Sequence, residues 1–416
     1  MKIENYKYEN VKYLEIFNLF LLALYPIALI AGNLIINLFI LLFSINFFIN
    51  FNKSKIYLNQ KISYLLFFFF TTLIINLFFS SDPSASLPRI IKIFFIIIFI
   101  FEIQKLIQNF EKTYIKYVYL SWFVTFLFLS IDILFEIIFG HNIFGSTSYI
   151  PGRISSLFGD ELIAGAFYHG FALFFMSFLI YKKLNNFILI FIIIALLCIS
   201  FLIGERSNFI KLFFSILLFM SFLSTINLKT KLSVTLIAIT IIISTITINE
   251  NYKLRYYNQL KILFSENGYS KYMKNSMYGT HQDSAYKIFK DNFFFGVGIK
   301  NFRDQVRKEK YENREYKFTA KRSTTHPHQV HYEFLSETGF VGYISFLIFI
   351  LSSLYLAIKS YFLTKNLFQL SGILFVLTSI LPIIPSGSFF STFSSGIFWI
   401  NYAIMISYLK KSDFKI

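Results

Sequence analysis

Apolar residues in this chain run in long blocks separated by short polar connections, and only one polar stretch is long. A block of about 17–25 apolar residues is what a helix needs to cross a bilayer. Twelve such blocks stand at 14–31, 33–50, 63–80, 89–107, 117–139, 161–181, 186–203, 208–226, 232–248, 338–358, 367–382 and 388–408. The first two are nearly continuous and part at Gly32-Asn33. The pattern predicts an all-α polytopic membrane protein of about twelve spanning helices. It divides into nine helices over 1–248, a long outer loop over 249–337, and three helices over 338–416. The first block is too long for a removable signal and lacks a small-residue cleavage site, so a retained helix is expected. No internal repeat of the kind found in inverted-repeat transporters stands out.

Composition sharpens this reading. Hydrophobic residues fill 56% of the 416 positions, more than an ordinary soluble domain carries. A net charge of +17 would suit nucleic acid, but the lysines are dispersed in short clusters between apolar blocks, so no nucleic-acid partner is expected. Alternate connections hold Lys53, Lys55 and Lys61; Lys105, Lys112 and Lys116; Lys182 and Lys183; Lys229 and Lys231; and Lys359 and Lys365. The ends add Lys2, Lys7 and Lys12, and Lys410, Lys411 and Lys415. The other short connections hold single arginines: Arg89, Arg153 and Arg206. The positive-inside rule then puts both termini in the cytoplasm and the long loop outside. The lone Cys198 lies in an apolar run and excludes an internal disulfide.

The long loop contains sixteen Lys or Arg and ten Asp or Glu, and long loops translocate whatever their charge. Its patterns predict helices over 252–263 and 283–292, with a turn at Gly296-Val297-Gly298. That turn follows no strand, so it is no dinucleotide fingerprint. A small helical outer domain docked on the bundle is expected. The loop ends on Thr325-His326-Pro327-His328-Gln329-Val330-His331-Tyr332-Glu333, with three of the six histidines. Pro327 suits a first helical turn, which predicts a helix with His326 at its cap and His328 and His331 in its first two turns. At about 100° per residue, His328, Tyr332, Leu335, Gly339 and Gly342 share one stripe. The two glycines there would let a neighbouring backbone pack closely. The positive helix end disfavours protonation of His328, and a neutral imidazole can serve as a general base. Two other readings are a solvated boundary histidine and a zinc site, the latter thinly supported by an HxxH pair without cysteine.

The single outer arginines are the second informative feature. Arg153 lies in Gly152-Arg153-Ile154-Ser155-Ser156. Arg206 lies in Gly204-Glu205-Arg206-Ser207, a break too short for a true loop. An ionised group at the membrane boundary is costly, which makes such residues functional candidates. The plain alternative is snorkelling to headgroups, the better reading for Arg89. A guanidinium grips phosphate oxygens through a planar fork and keeps its charge.

His328-Gln329, nine residues, then Gly339-Phe340-Val341-Gly342 fits the pattern His-[Asn/Ser/Gln]-x9-Gly-x-x-[Gly/Thr/Tyr]. In this the chain resembles the O-antigen ligase and O-antigen polymerase superfamily, bacterial inner-membrane glycosyltransferases that use undecaprenyl-diphosphate-linked glycans. The segments Gly152–Gly159, Gly204–Ser207 and Ala285–Phe302 also resemble the family, so the likeness spans roughly residues 150–345. It implies a GT-C-like helical fold, His328 as catalytic base, and diphosphate binding by Arg153, Arg206 and an outer-loop arginine. Arg255, Arg303 and Arg322 are candidates for the last, and Arg303, just after the Gly-Val-Gly turn, is best placed. Gln329, His326 and His331 would support acceptor or substrate. The resemblance further implies inverting transfer to a lipid A–core hydroxyl at the periplasmic face, with no metal or other cofactor. Polymerisation onto a growing glycan, or transfer to a protein hydroxyl, would use the same chemistry. A polysaccharide flippase or transporter is the reading from another class, and it expects mid-membrane charges and broken helices. Glu205 departs from the family pattern and is expected to offset part of the Arg206 charge.

Overall fold

The computed structural model describes residues 2–409 apart from Asn59 and Glu111. Lys410, Lys411 and Lys415 of the expected cytoplasmic lysine set lie outside the described residues, as do the side chains of Lys2, Lys7, Lys12, Lys53 and Lys55.

Each of the twelve apolar blocks falls on a helix. In order these are α1 (Lys2–Ala31), α2 (Asn33–Ile49), α3 (Lys61–Phe78), α4 (Pro83–Asn109), α5 (Lys112–Phe139), α6 (Ala164–Tyr181), α7 (Asn186–Leu202), α8 (Arg206–Phe222) and α9 (Leu228–Ile248). After the long loop, whose main helix is α10 (Met277–Asp291), come α11 (Val330–Thr364), α12 (Leu367–Ser379) and α13 (Thr392–Ser407). Among the described residues no strand forms. By length and composition α1 from Tyr13 on, α3, α5, α6, α9 and α11 are long and apolar enough to cross a membrane, and α2, α7 and α12 are apolar but shorter. The outer surface of the bundle is itself apolar: Leu34 and Phe187 are 79% exposed and Ile248 84%. Such a surface suits lipid rather than water.

The long loop builds a small core of its own. Ser276 caps α10 by accepting the Gly279 amide at 3.0 Å, and Ala285 and Ile288 on the inner face of α10 pack with Val297, Phe302, Val306 and Tyr311. The Gly296–Gly298 turn then docks on α11. Val297 and Gly298 donate their amides to Ser336 O (3.0 Å) and Glu337 O (2.8 Å), while Phe340 and Val341 donate to Phe293 O (2.7 Å) and Phe294 O (3.1 Å). This exchange is possible because α11 is interrupted at Gly339, whose φ of 66° and ψ of −167° are not helical. A Cβ on Gly339 would sit 2.5 Å from Gly296 N and Phe294 O. The close approach expected at Gly339 thus meets the Phe293–Gly298 segment rather than another helix. A Cβ on Gly342 would meet Thr338 of the same helix at 2.4 Å.

The start of this helix differs from the expectation. Gln329, extended at φ −158°, is the N-cap, and its side chain accepts the Tyr332 amide at 3.0 Å. His328 therefore precedes the helix, in the left-handed region at φ 57°. The stripe shared by His328, Tyr332 and the glycines does not form. The physical reason is local: the Gln329 side-chain oxygen accepts the orphan Tyr332 N–H, so the helix starts after Gln329 and not after His326.

Candidate functional site

Three separate segments bring arginines to one place, and backbone hydrogen bonds fasten them to one another. Two buried carboxylates one turn apart on α5, Asp132 and Glu136, hold the first segment. Asp132 accepts from the Ile143 amide (2.8 Å) and the Ser156 hydroxyl (2.5 Å). Glu136 accepts from the Ser155 and Ser156 amides (3.3 and 2.5 Å). Ile154 N donates to Ile203 O at 3.0 Å, which joins the first segment to the α7–α8 break. That break is glycine for a reason: Gly204 has φ 78°, and a Cβ there would lie 2.0 Å from Gly152 O. The third segment follows α9 and is pinned by Tyr252, whose hydroxyl donates to Leu202 O at 2.7 Å.

The arginines reinforce this arrangement. Arg206 Nη1 donates to Arg255 O at 2.7 Å, and Arg255 Nη2 donates to Gly204 O at 3.0 Å. Arg153 Nη2 donates to Leu162 O at 2.8 Å and lies 3.6 Å from Glu205 Oε1. The Nε atoms of Arg153 and Arg255 are buried and have no partner. Burial, and then the charges of Arg206 and Arg153, draw the Arg255 guanidinium below its usual range. Glu205 faces Arg153 rather than Arg206, and its carboxylate also accepts from Gly165 N (3.0 Å) and Asn208 Nδ2 (2.6 Å). Burial raises its carboxyl, and Arg153 is the largest influence opposing that.

Arg153, Arg206 and Arg255 line a cavity of about 310 Å³ whose facing wall carries Tyr278, His326 and His328. The His326 and His328 rings lie 4.1 Å apart, and His328 stacks on His281 at 5.3 Å. Burial, aided by the nearby His281, lowers His328 to about 4, so its imidazole is neutral near pH 7. His326 is lowered to about 2, by burial first and then by His328 and Lys300. His328 Nε2 has only a long contact, 3.4 Å, to the Thr324 hydroxyl. Among the described residues no three His, Cys, Asp or Glu are arranged to hold a metal ion. A larger apolar groove of about 440 Å³ opens beside the cavity, with Phe201, Phe209, Ile210, Ile242 and Ile246 on its wall, and the two meet at Arg206, Arg255 and Tyr278.

Arg153, Arg206, His326 and His328 thus come together as the sequence suggests, while other named residues lie elsewhere. Arg303 is exposed and does not line the cavity; the helical turn that follows Gly298 carries it away. Arg255 takes that place. Arg322 is occupied in the loop, donating to Val306, Thr319 and Arg307 carbonyls. His331 turns from the cavity to meet Tyr343 OH (3.0 Å) and Ile380 O (2.7 Å). Gln329, besides capping α11, donates to Pro382 O at 2.6 Å. With the Ser386 amide donating to His328 O at 2.9 Å, these residues anchor the segment after α12, whose Pro385, Ser386 and Gly387 form another cavity wall. His281 and Tyr278 were not singled out by sequence reasoning. Their only signal is the amphipathic pattern of α10, which turns one face towards His328.

No curated protein matches this chain. Residues 164–347 match the family model described as O-antigen ligase, a span that holds Arg206, Arg255 and the whole His328–Gly342 motif, so this part of the chain, a little under half of it, is similar to the O-antigen ligase family.

Proposed function

We propose that the protein transfers a glycan from a polyprenyl diphosphate carrier to an acceptor hydroxyl at the outer face of the bacterial inner membrane. The observation that carries this reading is the single cavity shared by three arginines and a neutral histidine, with an apolar groove entering at the arginines. An isoprenoid tail fits the groove, where apolar walls replace lipid contacts. The diphosphate then meets Arg206 and Arg255, with Arg153 behind them. Fixed guanidinium donors are what a developing diphosphate charge requires.

In this mechanism His328 accepts the proton of the acceptor hydroxyl. The oxygen attacks the anomeric carbon from the face opposite the carrier, and the bond from that carbon to the diphosphate oxygen breaks. Lipid diphosphate leaves, and the anomeric centre inverts. The arginines supply the positive charge at the leaving group. The acceptor we favour is lipid A–core, which makes the reaction a ligation; a growing glycan as acceptor would make it a polymerisation. The lysine distribution supports cytoplasmic termini and a periplasmic loop over 249–337.

The test is transfer by the purified full-length protein in lipid bilayers, with a polyprenyl-diphosphate-linked glycan as donor and either lipid A–core or free glycan as acceptor. Expected are a product joined through the acceptor hydroxyl, release of lipid diphosphate, and loss of both in His328→Ala. Absence of transfer to every hydroxyl acceptor, with donor binding intact, would overturn the reading.

A further inference from the structure

Behind the arginine cavity lies a smaller one of about 80 Å³. The two share Ala166, Asn208, Ser386, Gly387 and Ser394. Lys211, five residues into α8 from Arg206, lines the smaller cavity and is only 5% exposed. Among the described residues, no hydrogen bond or ion pair reaches its ammonium; its one favourable influence is the more distant charge of Glu205. Glu205 is already engaged by Gly165 N, Asn208 Nδ2 and Arg153. The other titratable group on this wall, His169, is engaged through Nε2 with the Thr378 hydroxyl at 2.9 Å. A buried ammonium facing a cavity without a partner is among the least favourable arrangements in a fold, and an anionic group entering the cavity removes that penalty.

Size and position narrow the occupant. A volume of about 80 Å³ is several times the roughly 10–15 Å³ that one water needs. It admits a carboxylate and its carbon but falls well short of a sugar ring. The apolar groove, the arginine cavity and the Lys211 cavity follow one another, the first two joined at Arg206 and Arg255, the last two at Asn208 and Ser386–Gly387. A donor with its tail in the groove and its diphosphate on the arginines holds its first sugar in the middle cavity, with one ring substituent towards Lys211. Resting on the function proposed above, we propose that the Lys211 cavity is a specificity subsite for a carboxylate on the donor's first sugar, so that the preferred substrate is a lipid-linked acidic glycan.

Two synthetic donors test this: a polyprenyl diphosphate hexose and its uronate, identical except that CH₂OH becomes a carboxylate. Binding to the full-length protein in nanodiscs is measured by calorimetry. The wild type is expected to bind the uronate at least about tenfold more tightly, the scale of a charged hydrogen bond in a buried site. Lys211→Met is expected to lose that preference while binding the neutral donor within about twofold of wild type. Equal wild-type affinity for both donors overturns the subsite, and needs no variant to fold. Equal loss for both donors in Lys211→Met also overturns it, and assigns Lys211 to support of Glu205 and Arg153. A wild-type response to free acetate that Lys211→Met abolishes, with no preference between donors, overturns it in favour of a free-anion site. If neither donor binds, the donor assignment itself fails and the subsite falls with it; binding of both without preference removes only the subsite.

Discussion

Replacing Arg206 by lysine keeps the charge and changes the geometry. In the structure one of the five guanidinium N–H groups is spent on Arg255 O at 2.7 Å, and the others remain for a ligand. A lysine ammonium is a point donor on a flexible stem and cannot hold that carbonyl while gripping two phosphate oxygens. The variant therefore loses one charged hydrogen bond, worth about 1.5–3 kcal/mol. At 1.36 kcal/mol per decade this corresponds to a fall of roughly 10- to 150-fold in kcat/KM. The assay is initial-rate transfer with lipid-linked donor at equal protein levels, beside a thermal unfolding curve that checks the 203–206 and 252–256 segments. Arg303→Ala serves as the control, since Arg303 is exposed and outside the cavity. If Arg206→Lys stays within twofold of wild type, or if Arg303→Ala falls as far as Arg206→Lys, the arginine cavity is not where diphosphate binds.

Other expectations follow from the same geometry. His328→Ala should lower transfer by about 10²–10⁴-fold, the usual contribution of a general base, without loss of folded protein. Because His328 is lowered to about 4, kcat/KM should hold from neutral pH to about pH 5 and fall only as the imidazole protonates near pH 4; an acid limb at about 6.5 would mean that the imidazole is not buried as described. Gly204→Ala should destabilise the protein by about 1–3 kcal/mol, through strain at φ 78° and the clash with Gly152 O, and should lower transfer as well, because Arg255 rests on Gly204 O; unchanged unfolding and transfer would contradict the stitching of the three segments. In a Cys198→Ser background, Ser270→Cys should react with an impermeant thiol reagent from outside and Lys183→Cys should not; outside labelling at 183 would sink the orientation.

The positions of the helices were legible because the length of an apolar block is a property of a continuous stretch. Arg153 and Arg206 were legible because a single arginine between two apolar blocks is costly beside a bilayer and stands apart from the lysine clusters of the alternate connections. The third arginine was not, because its placement depends on how the loop folds back: Arg255 is brought to the cavity by Tyr252 meeting Leu202 O and by its own bond to Gly204 O. Sequence proximity to the Gly-Val-Gly turn favoured Arg303 instead, but that turn is occupied with the break in α11 at Gly339. The same limit applies to His328. Helical spacing placed it on a stripe, whereas the Gln329 cap stops the helix first and the left-handed backbone at His328 turns the imidazole into the cavity. His281 escaped notice because nothing local ties it to a motif 47 positions on; only the packing of α10 does.

Three guanidinium groups around one cavity repel one another, and the fold offsets this mainly without carboxylates. Leu162, Gly204 and Arg255 contribute carbonyl oxygens to the arginines, which supply partial negative charge and fix geometry while leaving the formal charge in place. Glu205 is the one carboxylate on this wall, and it faces Arg153, the arginine farthest from the apolar groove in the sense that Arg153 lines only the inner cavity while Arg206 and Arg255 line both. Three positive charges and one negative leave a balance of about two positive, concentrated where the groove enters. A diphosphate diester carries about two negative charges, so under the proposed function this balance would match such a group, with Arg206 and Arg255 at the end nearer the groove. A carboxylate beside Arg206 would have cancelled that charge at the entrance. The glutamate next to it in sequence is instead turned inward by Gly165 N and Asn208, where it faces Arg153 and not Arg206.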